Sequence, residues 1–137
     1  MRTIKFRAWD IFEKKMDYEV TIDPNGKVAA FSPLDGKYVR GFSDDEMILM
    51  QYTGLKDRNG KDIYEGDIVK VKIQGGYSDH YCDNEHTKTV IYNNEAACWK
   101  PFDRCRMWKG VDGSNLTAVE VIGSIYENPS LLEVTHE

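Results

Sequence analysis

The residue types best suited to chemistry gather in one stretch. His80, Cys82, His86, Cys98 and Cys105 fall within 26 residues. Cys82 and His86 are separated by three residues, so both side chains can reach one ion, and Cys98 and Cys105 would complete a tetrahedral set. Six residues separate Cys98 from Cys105, and there is no Cys-x-x-Cys pair. Structural zinc sites usually rest on such tight spacings. The stretch therefore reads as a polar loop with two surface histidines and partly buried thiols, and neither metal nor any other cofactor is expected.

Asp44, Asp45 and Glu46 are the next candidates, as an acid–base or metal site. Neighbouring residues on a strand point to opposite faces, so these carboxylates do not converge. A solvated turn is the simpler reading. The sequence has no Gly-x-Ser-x-Gly, His-Glu-x-x-His or phosphate-loop motif. Neither Cys98 nor Cys105 has a histidine partner close by in sequence. The protein is expected not to be an enzyme.

A third constellation suits binding. Trp99, Phe102, Met107 and Trp108 lie among Lys100, Arg104, Arg106 and Lys109. Aromatic side chains beside cations fit a protein interface or single-stranded nucleic acid. The partner-binding candidates are Trp99, Phe102, Arg104, Arg106 and Trp108. Core packing is the favoured reading of Trp99, which follows the apolar run Ala96-Ala97-Cys98; for Trp108 the two readings are closer.

Bulk composition bears on that choice. The formal net charge is −5, whereas nucleic-acid binding draws most of its non-specific affinity from Lys and Arg on phosphates. Lys56, Arg58 and Lys61 cluster, but Asp57 and Asp62 sit among them. A protein partner, including a second copy of the same protein, is favoured, and nucleic-acid binding through residues 99–109 is the alternative. A length of 137 residues with 41% hydrophobic suffices to bury a core as one domain, 1–137, without disulfides. Three cysteines without repeated spacing predict free thiols in a reducing cytoplasm. The first residues run straight into an alternating pattern, so no secretory signal or membrane span is expected.

The elements that must position these residues are short strands. Residues 2–9 alternate, with Ile4, Phe6 and Ala8 inward and Arg7 outward. Residues 10–17 read as a turn in which Phe12 and Met16 could anchor. Tyr18–Ile22 alternates again. Asp23-Pro24-Asn25-Gly26 and Pro33-Leu34-Asp35-Gly36 are turns, with Lys27–Phe31 extended between them. Ser43 and Glu46 have capping-box spacing before Met47–Met50, but β-formers continue through Thr53, and a strand is preferred. Residues 54–62 are loop chemistry. Ile68–Ile73 is the clearest strand, with Val69, Val71 and Ile73 inward. Residues 75–87 read as a long loop, Lys88–Tyr92 and Asn115–Tyr126 as strands, and Leu131–Val134 as a short terminal turn or helix. No internal repeat is legible. The fold class is mostly β, a small barrel or sandwich of short antiparallel strands with minor helix. Phe6, Trp9, Tyr52, Tyr64 and Tyr126 are expected to fill the core.

Lys5-Phe6-Arg7-Ala8-Trp9-Asp10 opens a set of three segments. The second runs from Met50 through Tyr52-Thr53-Gly54-Leu55-Lys56-Asp57-Arg58-Asn59-Gly60-Lys61 to Val69. The third is Glu120 to Pro129, containing Gly123-Ser124-Ile125-Tyr126. Together these segments resemble the YopX family of phage and prophage proteins, in order and over nearly the whole sequence. The resemblance implies a phage or integrated-prophage origin, a β-rich fold and self-association. It implies no reaction and covers nothing in 75–87. Gly66-Asp67 leading into a core strand also suggests an SH3-like barrel element, an analogy of fold alone.

Protein purified without chelator should carry no zinc. Metal analysis finding about one zinc per molecule, lost together with folding on chelation, would overturn this reading.

Overall fold

The computed structural model describes residues 3–74, 84–95, 97–102, 105–106, 109–110 and 115–133. It is mostly β, as the alternating segments and their turns predict. The strands are β1 (Phe6–Asp10), β2 (Lys15–Asp17), β3 (Thr21–Ile22), β4 (Val28–Phe31), β5 (Tyr38–Gly41), β6 (Met47–Lys56) and β7 (Asp62–Tyr64). They continue as β8 (Asp67–Gln74), β9 (Asn84–Thr89), β10 (Ile91–Asn93), β11 (Cys98–Lys100), β12 (Cys105–Arg106), β13 (Lys109–Gly110) and β14 (Asn115–Ser124). One short helix, α1 (Ser130–Glu133), follows the last strand, as expected of the terminal leucines. The molecule divides into two compact units, Met1–Tyr52 and Thr53–Glu137, and β6 runs from the first into the second.

In the first unit, β1 lies between β2 and β6 and pairs antiparallel with both. Its burial departs from the expected alternation. Ile4 is exposed, whereas Arg7 and Ala8 are both buried. Adjacent residues point to opposite faces, so both faces of β1 are covered here. Arg7 Nη1 donates to Tyr18 Oη at 3.4 Å, and the guanidinium lies 5.8 Å from the Tyr18 ring. Phe12 anchors nothing; it is exposed in the turn between β1 and β2. That turn is instead held by Asp10, whose Oδ1 accepts from Phe12 and Glu13 N–H. A separate sheet has the order β3-β4-β5. Tyr18–Ile22 forms only the two-residue β3. The capping-box spacing does close a turn: Ser43 N–H donates to Glu46 Oε1, and Met47 N–H to Ser43 O. A strand follows it, not a helix.

In the second unit, β6 turns back into β7, and β14 sits between β13 and β8 with β9 beyond. Gly54 allows β6 to extend further than expected, with φ at +89°. The core gathers Ile63, Val69, Val71, Val90, Phe102 and Val119, with Leu55, Trp99 and Val121 packed against it. Val69 and Val71 face inward as expected, but Ile68 is also fully buried. β9 begins at Asn84, within the stretch expected to be loop. Of the expected core aromatics, Tyr52 and Tyr64 are buried, while Phe6, Trp9 and Tyr126 are half-buried.

Gly123 near the end of β14 is needed for space. A Cβ there would lie 2.4 Å from Asn128 Oδ1 and 2.9 Å from its Cγ. Asn128 cannot simply swing away. Its Oδ1 accepts from Ser124 N–H at 3.3 Å, and its own N–H donates to Ser124 O at 2.8 Å. Gly123→Ala should therefore destabilise the protein by about 1–3 kcal/mol, the usual cost of overpacking. Denaturant melts compare the two, and an unchanged midpoint would show that the turn relaxes freely.

Candidate interaction surface

Buried carboxylates are the first place to look for a reactive centre. Asp23, Asp57 and Asp67 are all buried, and each is spent on backbone. Asp67 Oδ2 accepts from Tyr64 N–H at 2.8 Å, closing the Gly66 turn into β8. Asp57 Oδ1 accepts from Asn59 and Lys61 N–H, both at 2.9 Å. Its Oδ2 accepts from Val121 N–H on β14 at 3.0 Å. Asp23 repeats the local half of this pattern, with Asn25 N–H at 2.9 Å and Lys27 N–H at 3.0 Å on Oδ1. Asp23-Pro24-Asn25-Gly26-Lys27 and Asp57-Arg58-Asn59-Gly60-Lys61 are the same turn in two places. The pentapeptide Asp-x-Asn-Gly-Lys is a recurrence that a search for longer repeats passes over.

Asp44 and Asp45 are exposed, whereas Glu46 is partly covered. Glu46 makes a bidentate pair with Arg40 at 2.7 and 3.3 Å. The Arg40 hydrogen bond and the Ser43 N–H hold the Glu46 carboxyl below its ordinary range. The three carboxylates do not converge. Of the proposed metal set, His86 is half-buried on β9 and Cys98 half-buried on β11. His80 and Cys82 lie outside the described residues, as does the side chain of Cys105 on β12. Among the described residues no group of three His, Cys, Asp or Glu could hold a metal ion.

The partner-binding candidates separate. Phe102 is buried in the core and Trp99 packs against it half-buried. Arg104 and Trp108 lie outside the described residues, and so does the side chain of Arg106 on β12. The exposed apolar residues beside Trp99 are Ile91 and Tyr92 on β10. Tyr92 meets the Trp99 ring edge-on at 4.9 Å, as their cross-strand register requires.

A second group of exposed apolar residues lies on the first unit. Phe31 and Tyr38 are cross-strand partners on β4 and β5, with rings 5.9 Å apart in a T-shaped contact. Both are exposed, as is Val39, and Leu34 at the hairpin tip is 95% exposed. A register shift between Ala30 and Phe31 accompanies this arrangement. By sequence this segment reads as strand and turn only. The signal for a surface is nevertheless there in Phe31, Leu34, Tyr38 and Val39, four large apolar residues around a tight turn.

The match to the YopX protein family model spans residues 5–133. The chain belongs to the YopX family. Among curated proteins none matches it. Among solved structures it is similar to the crystal structure of protein EF1440 from Enterococcus faecalis, at 28% identity and a TM-score of 0.56. That likeness covers 96% of this chain and 99% of the other. In this YopX protein the resembling segments have visible structural work. The first is the interior strand β1. The second holds the Asp57 and Asp67 turns, and the third holds Gly123 against Asn128. No membrane-crossing helix is present among the described residues.

The Asp57 contacts set a pH dependence. Burial pushes its carboxyl up, but N–H groups of Val121, Lys61 and Asn59 and the Lys61 charge outweigh this, and the net shift is downward. A lowered folded-state value means the stabilisation is fully present above the ordinary 3.8 and disappears as pH falls through the folded value. Asp57→Asn keeps the shape but sets an amide donor against one N–H. It should cost about 1–3 kcal/mol at neutral pH, and the gap between wild type and variant should narrow in acid. Urea midpoints measured from neutral pH into that acid range test both, and a pH-independent gap would remove the carboxylate from the account.

Proposed function

We propose that this protein is a phage or prophage accessory protein that acts in the host cytoplasm by binding protein, itself included, and not by catalysis. One observation carries the reading. Phe31, Leu34 and Tyr38 expose large apolar side chains around a single hairpin, with Phe31 and Tyr38 in ring contact, and Val39 exposes a fourth on the opposite face of β5. Scattered apolar residues on a surface need no explanation, but clustered ones often mark contacts. β5 is also an edge strand of its sheet, and such edges offer unpaired backbone groups to another protein. The buried carboxylates support the non-catalytic side of the reading, because turn backbone takes at least one oxygen of each and both of Asp57. The net charge of −5 ranks a protein partner above nucleic acid.

The double variant Leu34→Ser/Tyr38→Ser tests the surface. Leu34 is 95% exposed, so Leu34→Ser should move stability by no more than about 0.5 kcal/mol. Tyr38→Ser also gives up the Phe31 ring contact, about 0.5–1.5 kcal/mol, so urea midpoints of both single variants accompany the test. Self-association, read by light scattering after size exclusion, should weaken by roughly tenfold or more if these are interface anchors. A wild-type protein that stays monomeric across a wide concentration range would reject self-association. Pull-down from phage-infected cells with wild type and variant then tests a different protein partner. Salt-dependent nucleic-acid binding in a mobility shift, unchanged by the variant, would reverse the ranking.

A further inference from the structure

The twin turns carry an inference independent of any partner. Each contains an Asn-Gly peptide, at Asn25-Gly26 and Asn59-Gly60, and all four residues are exposed. Asn-Gly is chemically the most labile asparagine sequence, because glycine leaves its own nitrogen unhindered. That nitrogen attacks the asparagine Cγ, and the bond from Cγ to Nδ2 breaks. Ammonia leaves with the proton from the glycine nitrogen. Water then opens the cyclic imide at either carbonyl, giving aspartate or isoaspartate.

In the folded turn this attack is blocked. Gly26 N–H donates to Asp23 O and Gly60 N–H to Asp57 O, both at 3.0 Å. The glycines hold φ of +82° and +81°. Ring closure therefore requires the turn to open first, and its rate follows the population of the open form.

The two turns differ in what opening must break. At 57–61, Arg58 N–H donates to Val119 O at 2.9 Å, and Val121 N–H donates to Asp57 Oδ2 at 3.0 Å. Both bonds tie the turn to β14. At 23–27, Pro24 stands in the place of Arg58 and has no N–H to give. A Cβ added to Gly41 would fall 2.8 Å from Asp23 Oδ2, and among the described residues no hydrogen bond joins that oxygen to another strand. Pro24 restrains its own φ but not the Asn25 ψ that must rotate. The strand entering this turn, β3, has only two residues.

We infer that Asn25 deamidates in the folded protein while Asn59 is protected. Isoaspartate there routes the backbone through the side chain and lengthens it by one atom. The bonds from Asn25 and Lys27 N–H to Asp23 are then lost, and the Ile22–Val28 pairing loosens.

Peptide mapping by mass spectrometry of folded full-length protein, incubated at neutral to mildly alkaline pH, is the test. Asn25 should convert faster than Asn59 by roughly tenfold or more, the factor that two extra hydrogen bonds supply. In denaturant the two rates should converge. Arg58→Pro, which gives the second turn the Pro of the first, should raise the Asn59 rate toward that of Asn25. Hydrogen exchange at Ile22 and Val28 should quicken in the aged protein. Equal rates in the folded protein, or the same disparity in denaturant, would overturn the inference. An Asn59 rate indifferent to Arg58→Pro would remove the anchoring argument.

Discussion

A carboxylate that accepts backbone N–H groups is the interaction on which the described turns depend. A protein built of short strands reverses often, and every reversal leaves peptide groups without a ladder partner. A buried, unpaired N–H costs as much as a lost hydrogen bond. Asp57 settles three such groups at once, two inside its own turn and one on β14. Asp67 and Asp23 do the same work on a smaller scale. Burying a charge is expensive unless it is well hydrogen-bonded. Here the bonds more than compensate, since they hold the Asp57 carboxyl ionised against its burial. The same bonds fix the register of β7 after β6, because a hairpin's turn sets which residues face each other. Core residue Ile63 follows two positions after that turn, so its inward placement begins with Asp57, and Val69 follows the Asp67 turn in the same way.

Much of this is legible as sequence, for a physical reason. Turns are local: Asp, Pro, Asn and Gly announce their geometry within four or five residues, and the turns at 23–26, 33–36 and 57–60 stand where those residues put them. The long strands β8 and β14 are legible because alternation sustained over many residues has no helical reading. Facing is less legible. Arg7 belongs on the outer face by alternation, yet both faces of β1 are covered at Arg7 and Ala8, and what packs on a strand's faces is not local information. β9 reads as loop because Asn84-Glu85-His86-Thr87 has no apolar alternation. A strand at the edge of its sheet needs none, since one partner, β8, fixes it through backbone alone.

The candidate site is the least legible part, and the reason is sheet position. The stretch 99–109 draws attention by composition, but Trp99 and Phe102 meet the core of the second unit. Phe31, Leu34, Tyr38 and Val39 look like ordinary strand and turn residues. They lie around a hairpin whose second strand, β5, has a neighbour on one side only among the described residues and an irregular register beside it. Aromatic content cannot tell these cases apart; which strand borders which can.

Edge strands are usually kept from pairing by charge, a bulge or extreme shortness. β5 has the shortness and the irregular register, but its charge is compromised. Arg40 is its one charged residue, and it is engaged with the Glu46 carboxylate and stacked 4.3 Å from the Phe42 ring. An exposed ion pair of this kind adds little stability. Its effect is on position: the cation is drawn toward Glu46 and away from free use as a guard of the edge. Arg40 lies directly across from Ala30, a residue too small to shield the strand. What remains beside the edge is the Phe31–Tyr38 ring pair and Val39, with Leu34 projecting at the tip. A lysine at Val39 or Tyr38 would guard this edge by charge; the sequence places apolar side chains at both positions, and both are exposed.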